Sequence, residues 1–366
     1  MYYYLILFAL TAMLTARAEN RYRRNKNKSG HFYSILVVLI FGLFAGMRST
    51  SVGIDVNVYV TPYLEVAKQF SNFFDYMNRV AVEPAYGLLT YINGRFFSTP
   101  FLTLFVSQIL AIGPIYFLIY KKRENLSMPL CIIIYDLMFF NVTLCIMRQF
   151  IAAAFIMLAV MCYQDNKKIF TLLSLIAISF HISSAICIPI YIVLMLLQRA
   201  KFKRVYNVII ILALFAVLAF LEPILAYATT IGIIPPQYYA VFIAQSNMNQ
   251  LSIVEKSLQA VTIFIPVIVS KIRNNKMLYQ ASYYALFGFF LSFAAIKSQY
   301  LLRLSFSFEI FTILALSLSR EGFDLGNKNK SNVLIYESFI IGIMFVYWWL
   351  VFIAWNYYGT AHFIFR

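Results

Sequence analysis

Long apolar runs, cut by short clusters of lysine and arginine, set the pattern of the chain. A bilayer core takes about 20 apolar residues per helix. Cutting the runs at their charge clusters gives spans near residues 2–18, 32–48, 97–120, 127–146, 149–163, 169–181, 183–197, 205–227, 253–270, 278–296, 304–319 and 333–354. The pattern predicts an all-α, polytopic integral membrane protein of about 12 transmembrane helices, built as one membrane domain over residues 1–366.

Joining these spans alternately puts RYRRNKNK (21–28), KKR (121–123), KK (167–168), RAKFKR (199–204), KIRNNK (271–276) and the segment 320–330 on one face. Basic loops stay in the cytoplasm, so that face is expected to be cytoplasmic. Residues 169–197 connect two of these clusters and must cross an even number of times. At about 1.5 Å per residue each half is short for a full crossing, which predicts a hairpin with its tip near His181 and Ser183. The outward loops are then 49–96, expected to carry amphipathic helices, the turn 147–148, the tip 181–184, the loop 228–252, the segment 297–303 and the C-terminal tail. Gly42 and Gly46 of GLFAG form a small-xxx-small pair that predicts a close helix crossing.

Composition agrees with a membrane protein and narrows the function. The chain is 62% hydrophobic and 12% charged, outside the range of a soluble globular protein. Its net charge of +16 sits in the loop clusters, so it reads as a topology signal, with no nucleic acid expected as partner. The first apolar run ends in an ARA tripeptide, yet its basic residues follow the run instead of preceding it. That order predicts an uncleaved first span with its N-terminus outside. Cys131, Cys145, Cys162 and Cys187 lie in apolar runs without CxxC spacing and read as packing residues. The three histidines are scattered, and no metal or cofactor is expected. No phosphate loop, nucleophile elbow, HExxH or dinucleotide fingerprint is present, so an ATPase, a serine hydrolase or a zinc protease has no machinery here. No internal repeat is visible either, which disfavours a transporter of duplicated halves.

Three arginines fall on the outer side, where positive charge is normally scarce: Arg48, Arg148 and Arg303. Each is either an interfacial anchor reaching for headgroups or part of a cluster. Guanidinium forks bind phosphate oxygens bidentately and stay charged, so a cluster suits a pyrophosphate at the membrane surface. In the first outer loop Asp55 and Glu83 stand out over Glu65 and Asp75. Asp55 is either a site residue or a scaffold, paired with Arg48 or capping the helix that follows Gly53; beside an arginine it is expected to stay ionised. His181, the one histidine within the apolar block, is either a satisfied core residue or a proton acceptor at the hairpin tip.

In order along the chain, GMRSTSVGIDVNVY (46–59), EPAYGLLTYI (83–92), IMRQFIAAAFIMLAV (146–160), SFHISSAICIPIY (179–191) and the arginine of YLLRL resemble EpsG-type, or Wzy-type, polysaccharide polymerases. The resemblance implies a membrane glycosyltransferase that joins undecaprenyl-pyrophosphate-linked repeat units outside the cytoplasm, as in O-antigen or related lipopolysaccharide and exopolysaccharide synthesis. It implies a bacterial plasma (inner) membrane location with the active site facing the periplasm or exterior. Partners would be the lipid-linked donor and acceptor, membrane lipids and a chain-length regulator protein. Arg48, Arg148 and Arg303 would then bind the diphosphate, and His181, with Asp55 or Glu83 as alternatives, would take the acceptor's proton. Gln149, Tyr59, Tyr238 and Tyr239 would contact substrate, with the loops 49–96 and 228–252 forming a sugar groove. The competing expectations are a transporter or flippase for the same lipid-linked sugar and a membrane acyltransferase.

Overall fold

In a computed structural model the protein is described over residues 1–25, 30–199, 220–232, 239–240, 253–293, 299–323 and 330–366. These residues are all-helical and contain no strand, only an isolated antiparallel bridge between Arg48 and Phe365. The helices are α1 Tyr2–Asn25, α2 His31–Gly46, α3 Val56–Tyr59, α4 Thr61–Gln69, α5 Phe73–Val80, α6 Pro84–Phe96, α7 Pro100–Lys121, α8 Met128–Met138 and α9 Phe140–Cys145. They continue as α10 Met147–Cys162, α11 Lys167–Phe180, α12 Ser184–Arg199, α13 Leu221–Thr230, α14 Ile253–Ile272, α15 Lys276–Ser292, α16 Gln299–Glu309, α17 Thr312–Ser319 and α18 Lys330–Trp348, with a π-helical turn at Trp349–Ala354.

Among the described residues helices coincide with the apolar runs, several of them shorter than or interrupted relative to the expected spans. Among the described residues, Pro100–Lys121, Ile253–Ile272 and Ser331–Ala354 are long and apolar enough to cross a membrane, while His31–Gly46, Met128–Met138, Met147–Cys162 and Ser184–Gln198 are shorter apolar helices. The runs 127–146 and 304–319 are each broken in the middle, at Phe139 and at Ile310–Phe311, into α8/α9 and α16/α17. Most of the predicted span 205–227 lies outside the described residues.

Lipid-facing and buried faces separate as a membrane protein requires. Phe32, Ile35, Leu39 and Leu43 form an exposed stripe on α2, while Val37, Phe41 and Ala45 are buried. On that buried side a Cβ on Gly42 would meet the Ile109 side chain at 2.9 Å, and one on Gly46 would meet Phe101 at 2.9 Å, so the glycines do permit a close α2–α7 crossing. Helix α10 runs through the core, with Phe150 to Ala154 all buried. Its three successive alanines let neighbouring backbones approach.

Described residues of several basic clusters lie together at one end of the bundle. Arg123 stacks on Tyr22 at 3.7 Å and Tyr22 donates to Glu124 at 2.6 Å. Lys276 donates to Gln164 at 2.8 Å, and Asn275 to Glu321 at 3.1 Å. Asparagines cap the helices that start there: the Asn166 side chain accepts from Lys168 and Ile169 N–H, and Asn275 from Met277 and Leu278 N–H.

At the other end the C-terminal tail closes over the segment after α2. Ser49 N–H donates to Ile364 O at 2.7 Å, Gly53 to Gly359 O at 3.0 Å and Arg366 to Met47 O at 2.8 Å. Between 167 and 199 the chain breaks where the tip was expected. Helices α11 and α12 have only 14 and 16 residues, and extended backbone at His181 (φ −158°, ψ 124°) breaks them at the tip.

Candidate functional site

Four chain breaks deliver the polar residues to one cleft at the tail end. Gly53 turns the segment after α2 with φ +91°, and a Cβ there would sit 2.5 Å from the Leu144 carbonyl oxygen. Only glycine lets this loop lie on the α9–α10 corner, and two residues later Asp55 faces the cleft. Glu83 is extended (φ −61°, ψ 142°) because Pro84 follows and starts α6, so its carboxylate stays clear of the helix. Ile146 (φ −86°, ψ 55°) separates α9 from α10 and leaves Arg148 in the first turn of α10. The extended backbone at His181 supplies the fourth.

Glu83 links two of these residues. One carboxylate oxygen accepts from Arg148 Nη1 at 2.5 Å, and the other lies 2.7 Å from His181 Nδ1. Burial alone would raise the Glu83 pKa; the His181 hydrogen bond and the Arg148 charge outweigh it and hold the carboxyl at about 2. The Arg148 guanidinium carbon sits 4.2 Å above the Tyr59 ring, a cation–π contact that fixes the plane of the fork. Across the cleft Arg303 Nη2 lies 3.9 Å from Asp55 Oδ1, a loose ion pair. Arg303 is the most accessible of the group, its side chain 34% exposed against 13% for Asp55 and 17% for Arg148.

Asp55 differs from the expectation in two ways. Its carboxyl is raised, because burial outweighs the charges of Arg303, Arg148 and His181, so it is a stronger base than an ordinary aspartate. It occupies the N-cap position of α3 without a side-chain cap bond. The cleft is narrow: the space between the side chains is about 20 Å³, room for about one water.

The structure therefore gathers Asp55, Arg148, His181 and Arg303 along the cleft with Tyr59 and Gln149, and ties Glu83 to two of them. Arg48 departs from its expected place among the diphosphate ligands. It is 1% exposed and is not among the residues lining the cleft. Its Nη2 donates to Leu144 O at 2.8 Å and contacts Met147 Sδ at 3.4 Å, so it braces the α9–α10 corner from behind. The physical reason is the tail, whose bridge from Phe365 to Arg48 covers the side that the sequence pattern left open. Tyr239 is half-buried and does not line the cleft, and Tyr238 lies outside the described residues, as does most of the loop 228–252.

Two features of the site were missed by sequence reasoning. Tyr86 lines the cleft, three residues after Glu83 on the first turn of α6, a spacing that marks it as a neighbour of that carboxylate. The tail residue Tyr358 lies within electrostatic reach of Arg303, and nothing local in the sequence signals that the tail folds back. Among the described residues no group of three or more His, Cys, Asp or Glu could hold a metal ion.

Two arginines, a largely buried aspartate and a carboxylate–histidine pair thus surround one cleft of a helical protein with membrane-capable helices. The EpsG family model matches residues 31–359, nearly the whole chain, and the chain belongs to the EpsG family. No curated protein and no solved structure matches it.

Proposed function

We propose that the protein is a polysaccharide polymerase that transfers a growing chain from one polyprenyl-diphosphate-linked repeat unit to another at the outer face of a bacterial plasma membrane. The observation that carries this reading is the pairing of Arg148 and Arg303 with the Glu83–His181 couple around a single cleft. It adds to the family's association with polysaccharide polymerisation.

In this reading the acceptor hydroxyl oxygen attacks the anomeric carbon of the donor sugar. The bond from that carbon to the diphosphate oxygen breaks, and its electron pair leaves with the polyprenyl diphosphate. Arg148 and Arg303 stabilise the charge that develops on the leaving oxygen, which needs no nucleotide and no further cation. His181 takes the hydroxyl proton. Glu83, held ionised, accepts from Nδ1–H and so leaves the Nε2 lone pair free for that proton. A carboxyl at about 2 makes Glu83 itself a poor base, whereas the raised Asp55 stands as the alternative to His181. Both lipid-linked substrates share one bilayer, so alignment in the cleft supplies much of the acceleration. A diphosphate is larger than this space, so in this reading the cleft widens to admit it.

A second reading, transport of the same lipid-linked sugar, draws on a buried charge among α14, α15 and α18. There Lys256 donates to Gln259 at 2.8 Å and Ser292 at 2.7 Å, and Gln259 donates to Tyr347 at 3.2 Å. Purified protein in liposomes with two repeat-unit lipids separates the two readings. A polymerase releases free polyprenyl diphosphate as linked units appear; a transporter moves the lipid and releases none.

A further inference from the structure

Most large buried phenols of this protein spend their hydroxyls internally. Tyr4 donates to Thr360 O at 2.6 Å, Tyr76 bonds Thr90 Oγ1 at 2.7 Å, Tyr191 donates to Ser307 O at 2.5 Å and Tyr336 to Leu316 O at 2.8 Å. Tyr86 is equally buried, 0% exposed, yet its hydroxyl has no hydrogen-bond partner among the described residues. Of these buried phenols it is the one that lines the cleft with Arg148 and His181. An unpaired buried hydroxyl costs free energy in the folded protein, and a phenylalanine at 86 would remove that cost without altering the packing.

The surroundings specify what the hydroxyl is for. The Arg148 guanidinium carbon is 5.6 Å from the Tyr86 ring centroid. Arg148 and Arg48 are the positive charges acting on the phenol, and burial still holds its pKa above the ordinary value, so the proton stays on oxygen. A neutral donor beside the Arg148 guanidinium favours an anionic oxygen over a sugar hydroxyl, because the cation attracts the ligand's charge. We propose that the Tyr86 hydroxyl is a substrate contact, donating a hydrogen bond to a diphosphate oxygen held by Arg148. This rests on the reading of the cleft as a diphosphate site, and it makes the phenol a fixed third donor beside the two arginine forks.

The test uses the full-length protein and Tyr86→Phe in detergent and in liposomes, with inorganic pyrophosphate as the probe. The variant is expected to unfold at a temperature no lower than the wild type. Pyrophosphate is expected to protect the wild type against unfolding, and to be needed at about tenfold higher concentration for the variant, the loss of one hydrogen bond to a charged oxygen. A lower unfolding temperature for Tyr86→Phe shows that the hydroxyl has a structural partner and overturns the proposal. Equal protection of both proteins, or protection of neither, overturns it as well. Polymer synthesis by the wild type is read in the same liposomes: its absence removes the polymerase reading, while the pyrophosphate comparison still judges Tyr86.

Discussion

His181 Nδ1 lies 2.7 Å from Glu83 Oε1, so the ring nitrogen nearer the backbone is committed to a carboxylate and the outer one is left for chemistry. The same carboxylate holds Arg148 with its second oxygen. Glu83→Gln breaks both links at once. It is expected to lower polymer yield by about a hundredfold, the scale of a misplaced reacting group, with the protein still inserted in membrane. Product analysis beside a membrane-fraction immunoblot checks this.

The depressed Glu83 pKa gives that couple a pH signature. Its stabilising contribution is complete above the ordinary glutamate value of 4.5 and is lost as pH falls through about 2. The gap in unfolding temperature between wild type and Glu83→Gln is therefore expected to narrow as pH falls from 4.5 to about 2. Thermal unfolding in detergent across that range measures it.

Asp55 and His181 compete for the role of base, and their variants part on stability. Asp55 is raised by burial, so Asp55→Asn relieves a buried charge and is expected to unfold no earlier than wild type at pH 7. If His181 is the base, His181→Ala lowers turnover by about 100-fold or more and removes the acidic limb of the pH–rate profile. Asp55→Asn retains that limb. Turnover against pH for both variants decides between them.

Arg48 and Arg148 differ in role, one behind the α9–α10 corner and one lining the cleft in front of it. Arg48→Met keeps the volume and removes a charge whose hydrogen-bond acceptors are one carbonyl and one thioether. Donor KM is expected to stay within about twofold of wild type while kcat falls, because the loss is one of placement and not of binding. A rise in KM equal to that of Arg148→Lys would return Arg48 to the diphosphate.

Much of this arrangement was legible in the chain. Charge clusters fixed which helix ends meet, since they recur at every second apolar run, and the short halves of 167–199 announced the tip at His181. The role of Arg48 was not legible: its burial depends on a tail more than 300 residues away, a non-local contact without periodicity to read. Nor was the Asp55–Arg303 pairing in place of Asp55–Arg48, which follows from the left-handed turn at Gly53. The breaks at Phe139 and Ile310 were hidden because both runs are apolar throughout, and hydropathy does not register where a helix interrupts.

The central claim is that Arg148 and Arg303 act on a leaving diphosphate, and the most direct measurement is the length distribution of surface polysaccharide in cells carrying Arg148→Ala or Arg303→Ala at native expression. The account predicts single repeat units in place of a ladder, with each variant present in the membrane at wild-type level. An unchanged ladder from both variants would contradict it.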